Sequence, residues 1–211
     1  MKIGITNLKG GVGKTTVSQN LAVCLAHMNY KVCLVDTDTN QNCISWVAAR
    51  DSKYPEILTV GVTESKALTQ AINRLDQEND FVIIDGTPNL SEMTTRIMLD
   101  SDLLVIPILA SAHDIRAINQ FIDRYNQALE FRPEIPAYFL LNRYDDALNV
   151  HKSIKMLIQE LGIPLLESSF KERVAYIESA IDGKGVYEYS DAKAKEEVTK
   201  FVNEIISIAN G

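Results

Sequence analysis

Cysteine is scarce in this chain: Cys24, Cys33 and Cys43 are its only three, all within the first quarter. An odd number, at spacings that match neither a zinc knuckle nor a CxxC pair, excludes a disulfide framework and points to reduced structural thiols. Long apolar runs are missing as well. The longest, Leu103 to Ala110, is broken by Pro107 and falls far short of the ~18 residues of a membrane span, so no helix is expected to cross a bilayer. Only Met1 and Lys2 precede the first strand-like run. That leaves no room for the charged, apolar and cleavage regions of a secretory signal, and the expectation is a cytoplasmic protein. Basic excess is absent too: 21 Lys plus Arg against 28 Asp plus Glu gives −7. This argues against a surface devoted throughout to nucleic acid, while leaving room for a local basic patch. There is no internal repeat, no low-complexity tract and no Gly/Ser linker, and the breaks at Phe131-Arg132-Pro133 and Gly162-Ile163-Pro164 read as ordinary loops, so residues 1–211 are expected to form one domain. His27, His113 and His151 are scattered without metal spacing, and Trp46, Tyr187 and Tyr189 read as packing or interface residues.

What is present alternates. Short apolar runs, Lys2 to Thr6, Lys31 to Val35, Leu58 to Val60, Phe81 to Ile84, Leu103 to Pro107 and Ala137 to Leu141, read as strands, with a further one near Leu165 to Glu167. Most are apolar throughout, as strands buried on both faces must be. Helical stripes separate them: Thr15 to Met28, Glu64 to Leu75, Leu90 to Leu99, Asp114 to Leu129 and Asn149 to Leu161. A last stripe, Val198, Phe201, Val202, Ile205 and Ile206, closes the chain. The alternation predicts an α/β fold, a mostly parallel sheet with helices on both faces.

Directly after the first strand comes Leu8-Lys9-Gly10-Gly11-Val12-Gly13-Lys14-Thr15-Thr16, and then the first helix. A glycine-rich loop feeding a helix N-terminus aims several backbone N–H groups and the positive end of the helix dipole at one spot, which suits a polyphosphate. In that setting Gly10 to Thr16 form the phosphate cradle, Lys14 reaches the β- and γ-phosphates, and the Thr15 hydroxyl serves Mg²⁺. The first glycine of the GxxxxGK[ST] pattern is replaced by Leu8, and an extra lysine, Lys9, stands in the loop. Two further strand ends carry carboxylates: Val32 to Val35 runs into Asp36-Thr37-Asp38, and Phe81 to Ile84 into Asp85-Gly86, a Walker B pattern. The C-terminal edge of such a sheet is where ligands bind.

The KGGxGKTT loop, Lys9 to Thr16, resembles the ParA/MinD family of deviant Walker A P-loop ATPases, and the likeness extends over nearly the whole chain. The resemblance implies ATP and Mg²⁺ as cofactors, and a dimer in which Lys9 reaches across to the partner's ATP. It makes Asp36 and Asp85 ligands to Mg²⁺-bound water and Asp38 the residue that positions or activates the attacking water. Gly86 would let the backbone approach the γ-phosphate, and Asn142 matches a position that contacts adenine or serves as a loop cap. The usual continuation DxDPQ reads Asp36-Thr37-Asp38-Thr39-Asn40 here.

Among relatives, the acidic last segment (Glu196, Glu197, Glu204) lacks the basic amphipathic membrane helix of MinD-like proteins. No cysteine follows Cys43 to hold a nitrogenase-type cluster, and with one half and a loop beginning at Lys9 neither an arsenical pump nor an N-terminal helix-turn-helix is expected. The resemblance therefore implies a short ParA-type ATPase that binds nucleoid DNA non-specifically as an ATP dimer. A ParB-like or other cargo adaptor would stimulate its hydrolysis while it segregates a plasmid, a chromosome or another cargo. Lys171, Arg173 and Lys184 are the candidate DNA contacts. A nucleotide-switched scaffold with little hydrolysis, suggested by Thr39-Asn40, and positioning without DNA stand as alternatives.

Overall fold

The computed structural model describes residues 1–210, without the side chains of residues 112–117; His113 lies among these and outside the described side chains. Seven strands form the framework: β1 (Lys2–Ile5), β2 (Val32–Asp36), β3 (Leu58–Gly61), β4 (Phe81–Asp85), β5 (Leu103–Leu109), β6 (Ala137–Asn142) and β7 (Leu165–Ser169). They pair in parallel in the order β3-β2-β4-β1-β5-β6-β7, so the first strand of the chain lies at the centre of the sheet. Each parallel pair requires a crossover, and helices supply it.

Alternate residues of each strand point to opposite faces, and this divides the core in two. Ile3, Ile5, Leu34, Ile83 and Val105 pack under α1 (Lys14–His27) and the terminal α8 (Ala192–Asn210), where Val198, Phe201, Val202 and Ile205 form the expected stripe. Val35, Val82, Ile84, Leu104 and Ile106 face the other way. There they meet α3 (Ser65–Asp76), α4 (Glu92–Asp100), α5 (Ala112–Phe131) and α6 (Asn149–Gln159). Both faces of the central strands are covered, which is why those strands are apolar throughout.

The strand and helix expectations hold to within about two residues at most ends, and the further strand near Leu165 is present. Its pairing with β6 shifts register between Phe139↔Leu165 and Leu141↔Ser169. Two short helices went unforeseen: α2 (Asn42–Ala48) and α7 (Ala175–Ile181), the latter followed by a 3-10 turn at Val186–Glu188. Each spans only about two turns, too little chain to display a periodic stripe. All three cysteines are free and buried, as structural thiols should be. Among the described residues no helix is long and apolar enough to cross a membrane.

Candidate nucleotide site

At the C-terminal edge of β1 the chain leaves the sheet through buried Thr6 and Asn7, and the Asn7 side chain anchors the exit by donating to the Pro107 carbonyl (2.8 Å) and accepting from Lys9 N (3.0 Å). The loop then rises to exposed Gly10 and Gly11 and returns through buried Val12. Gly13 has φ 94°, a left-handed conformation that a side chain rarely adopts, and a Cβ there would clash with Asn142 Nδ2. Asn142 is what presses on the loop: its amide donates to the Val12 carbonyl at 2.8 Å from the end of β6. Asn142, expected to contact adenine or to cap a loop, thus holds the glycine loop in place.

Past Gly13 the helix α1 begins with Lys14, which is 7% exposed and donates from Nζ to the Lys9 carbonyl at 2.9 Å. Burial pulls the ammonium below its ordinary pKa, while the charges of Asp85 and Asp38 pull it back up. A cation that has lost water and lacks a full counter-ion is well matched to a polyphosphate.

The carboxylates foreseen on separate strands meet. Asp36 and Asp85 are register partners on adjacent strands, both at the C-terminal edge, and both are almost fully buried. Asp85 accepts the Thr15 hydroxyl on Oδ2 (2.7 Å) and the Ser18 hydroxyl on Oδ1 (2.9 Å). Burial dominates its titration and pushes it up to about 6, assisted by the nearby Asp36 charge and opposed by the two hydroxyls. Asp36 accepts the backbone amides of Asp38 (3.1 Å) and Cys43 (2.7 Å), so it ties down the first turn of α2. Asp38 is half-buried, with Oδ1 taking the Asn40 amide (2.9 Å). It borders a cleft of about 410 Å³ that also involves Asn40, Thr87, Pro88 and Asn89. Gly86 lies against the end of β1, where a Cβ would fall 2.9 Å from the Ile5 carbonyl, so only glycine permits this approach.

Two residues of the site carried no flag in the sequence. Ser18 follows Thr15 by three positions, and that helical spacing was the available signal. Cys43, whose Sγ lies 3.4 Å from Asp85 Oδ2, enters through the unforeseen α2. The three candidate DNA contacts are all engaged with carboxylates. Lys171 meets Asp146 (3.1 Å), Arg173 meets Glu197 (2.6 Å) and Lys184 meets Asp182 (2.8 Å). Lys171 and Arg173 share a cleft with Lys193 and Lys200, whereas Lys184 lies apart, beside Trp46.

With a glycine loop, a buried lysine and paired carboxylates at one sheet edge, comparison with known proteins is decisive. The CobQ/CobB/MinD/ParA nucleotide binding domain family matches residues 3–186. The chain belongs to this family. A maintenance of carboxysome distribution protein A from Halothiobacillus neapolitanus is 28% identical over 207 residues, covering 97% of this chain and 95% of that protein. Protein ParA of Rhizobium radiobacter is 30% identical over 179 residues, covering 82% and 78%. Among solved structures, apo McdA from Cyanothece superposes with a TM-score of 0.82 at 14% identity, covering 97% of this chain and 98% of that one. MinD from Pyrococcus horikoshii in complex with Mg-ADP gives 0.80 at 21%, covering 99% and 96%. The fold of this ParA/MinD-type chain is therefore that of the P-loop NTPases, one in which nucleotide and magnesium are bound together in neighbouring structures.

Its own residues fit such a ligand. Among the described residues no three His, Cys, Asp or Glu side chains are placed to hold a metal ion by themselves, so the Thr15 hydroxyl, with Asp36 and Asp85 acting through water, would be the protein's share. An all-oxygen, incomplete donor set suits magnesium, which keeps several waters and takes its remaining ligands from phosphate.

Proposed function

We propose that this protein is a Mg²⁺-dependent ATPase of the ParA type that positions or partitions a cargo. The observation that carries the reading is the convergence of Lys14, Thr15, Asp36 and Asp85 on the mouth of one glycine loop. When bound, magnesium neutralises triphosphate charge and orients the β- and γ-phosphates. Lys14 exchanges the Lys9 carbonyl for phosphate oxygens, and the loop amides from Gly10 to Thr16 hold the rest of the chain of phosphates. Thr15 supplies its hydroxyl to the cation. Asp36 and Asp85 orient water around it, and Asp38, at the open cleft, aligns the attacking water.

A second protomer closes over the first, and Lys9 of the partner subunit neutralises charge that develops on the transferred phosphoryl group. The ATP-bound dimer binds DNA without sequence preference through Lys171, Arg173 and Lys184, which must exchange their carboxylate partners for phosphates. Binding of this kind weakens steeply with salt. A cargo-bound adaptor protein, ParB-like or otherwise, stimulates hydrolysis and releases the dimer, so the protein cycles between nucleoid and cytoplasm. End-to-end similarity to a carboxysome distribution protein supports a positioned cargo in addition to plasmid or chromosome partition.

The test is ATP hydrolysis and sedimentation of the wild type and of Lys9→Ala with DNA and the adaptor present. The expected result is an ATP-dependent dimer in the wild type and loss of dimer or turnover in the variant. Wild-type turnover by Lys9→Ala would refute the shared site.

A further inference from the structure

Cys43 touches both carboxylates of the candidate metal site, by different atoms. It is fully buried in the first turn of α2. Its backbone N–H donates to Asp36 Oδ2 at 2.7 Å, while its thiol donates to Asp85 Oδ2 at 3.4 Å. Asp36 and Asp85 are register partners on neighbouring strands, so this one residue bridges the pair from above the sheet edge. The Asp85 oxygen it reaches is also the one that accepts the Thr15 hydroxyl. Ser18 takes the other oxygen, and three side-chain donors together leave that carboxylate little rotational freedom.

We propose that Cys43 is a positioning residue for the metal centre: its thiol holds Asp85, and its amide holds Asp36, in the mutual orientation that magnesium requires. A group beyond the metal ligands that orients a ligating carboxylate changes metal affinity, typically by tenfold or more, without touching the cation. The inference rests on the magnesium-nucleotide reading above. It predicts a defect in metal affinity alone, because no atom of Cys43 belongs to the glycine loop or to α1.

Three variants separate orientation from packing. Cys43→Ala removes the donor and leaves a small space, Cys43→Val fills the space without a donor, and Cys43→Ser keeps a donor. The readouts are direct Mn²⁺ binding by electron paramagnetic resonance in the presence of ATP, the Mg²⁺ concentration for half-maximal hydrolysis, and affinity for a fluorescent ATP analogue in EDTA. The expected result is a metal requirement raised about tenfold in the Ala and Val variants, restored to within about threefold by Ser, with metal-free nucleotide affinity unchanged in all three. Wild-type metal affinity in Cys43→Ala and Cys43→Val would overturn the proposal, as would a Ser variant no better than Ala. Wild-type protein that binds the analogue without any response to Mg²⁺ would instead overturn the functional reading on which it rests.

Discussion

Removing the Arg50 guanidinium tests how the segment beyond Asp36 is held to the rest of the molecule. Arg50 follows α2 and is 5% exposed at its side chain; its partner Glu188, in the 3-10 turn, is 1% exposed. Two bonds run between them, NH1 to Oε2 at 2.8 Å and NH2 to Oε1 at 2.5 Å, and Arg50 also donates to the Gly183 carbonyl (3.0 Å) and to the Pro55 carbonyl. Arg50→Met keeps most of the side-chain volume but leaves a buried carboxylate that, among the described residues, retains His27 Nε2 (2.7 Å) and the Gly185 amide (3.2 Å). Breaking a buried pair from one side costs about 3–5 kcal/mol, and the remaining partners place this case at about 3. For a chain of this length that corresponds to a melting temperature lower by roughly 10 °C. Urea unfolding of Arg50→Met, Glu188→Leu and the double variant measures it. The double variant should lose markedly less than the sum of the singles, because no unpaired charge is left inside. A single-variant loss below about 1 kcal/mol, or simple additivity, would refute the reasoning.

Gly13→Ala should abolish nucleotide binding and destabilise the protein by 2 kcal/mol or more, as about 1–2 for the left-handed residue adds to the clash with Asn142. Combining it with Asn142→Ala should recover part of the stability, since that removes the clash and not the φ, and equilibrium unfolding reads both terms. Gln41, at φ 51° just before α2, is strained, so Gln41→Gly should raise stability by up to about 1 kcal/mol in the same assay. Asp85 titrates near 6 when folded and near 4 when unfolded, so the native state binds its proton more tightly. Its contribution to stability is therefore full below about pH 4 and lost as pH rises through 6, a swing of up to roughly 3 kcal/mol. In the absence of nucleotide and metal, Asp85→Asn should flatten that part of the stability profile and gain over wild type near neutral pH. An unchanged pH slope would contradict the raised value.

Sequence and structure agree where local pattern dictates the outcome. β2 and β4 are apolar strings that end in Asp36 and Asp85, and burial on both faces of a parallel sheet forces that composition, so position and chemistry could be read together. The glycine loop was legible for the same reason: strand, loop and helix are contiguous. What escaped is either too short to show a period or depends on contacts between distant segments. α2 is seven residues long, begins after a left-handed Gln41, and owes its start to the Asp36 carboxylate. The basic candidates near residue 173 looked available for phosphate because the carboxylate that holds Arg173, Glu197, comes from α8, some twenty residues further along the chain. Charge counts along the chain carry no information about such partners.

The position of β1 also governs how the molecule is made. The first strand pairs with β4, from Lys2↔Val82 onward, and with β5, from Ile3↔Leu103 onward. A nascent chain therefore synthesises its N-terminal strand some eighty residues before the first neighbour exists and a hundred before the second. Closing loops of that length is slow relative to local helix formation, so about a hundred residues must emerge before the opening segment finds both its neighbours. The glycine loop hangs from that strand, and nucleotide capture is consequently a property acquired late in biogenesis. A truncated translation product that ends before β5 lacks one of the two strands that flank the opening segment.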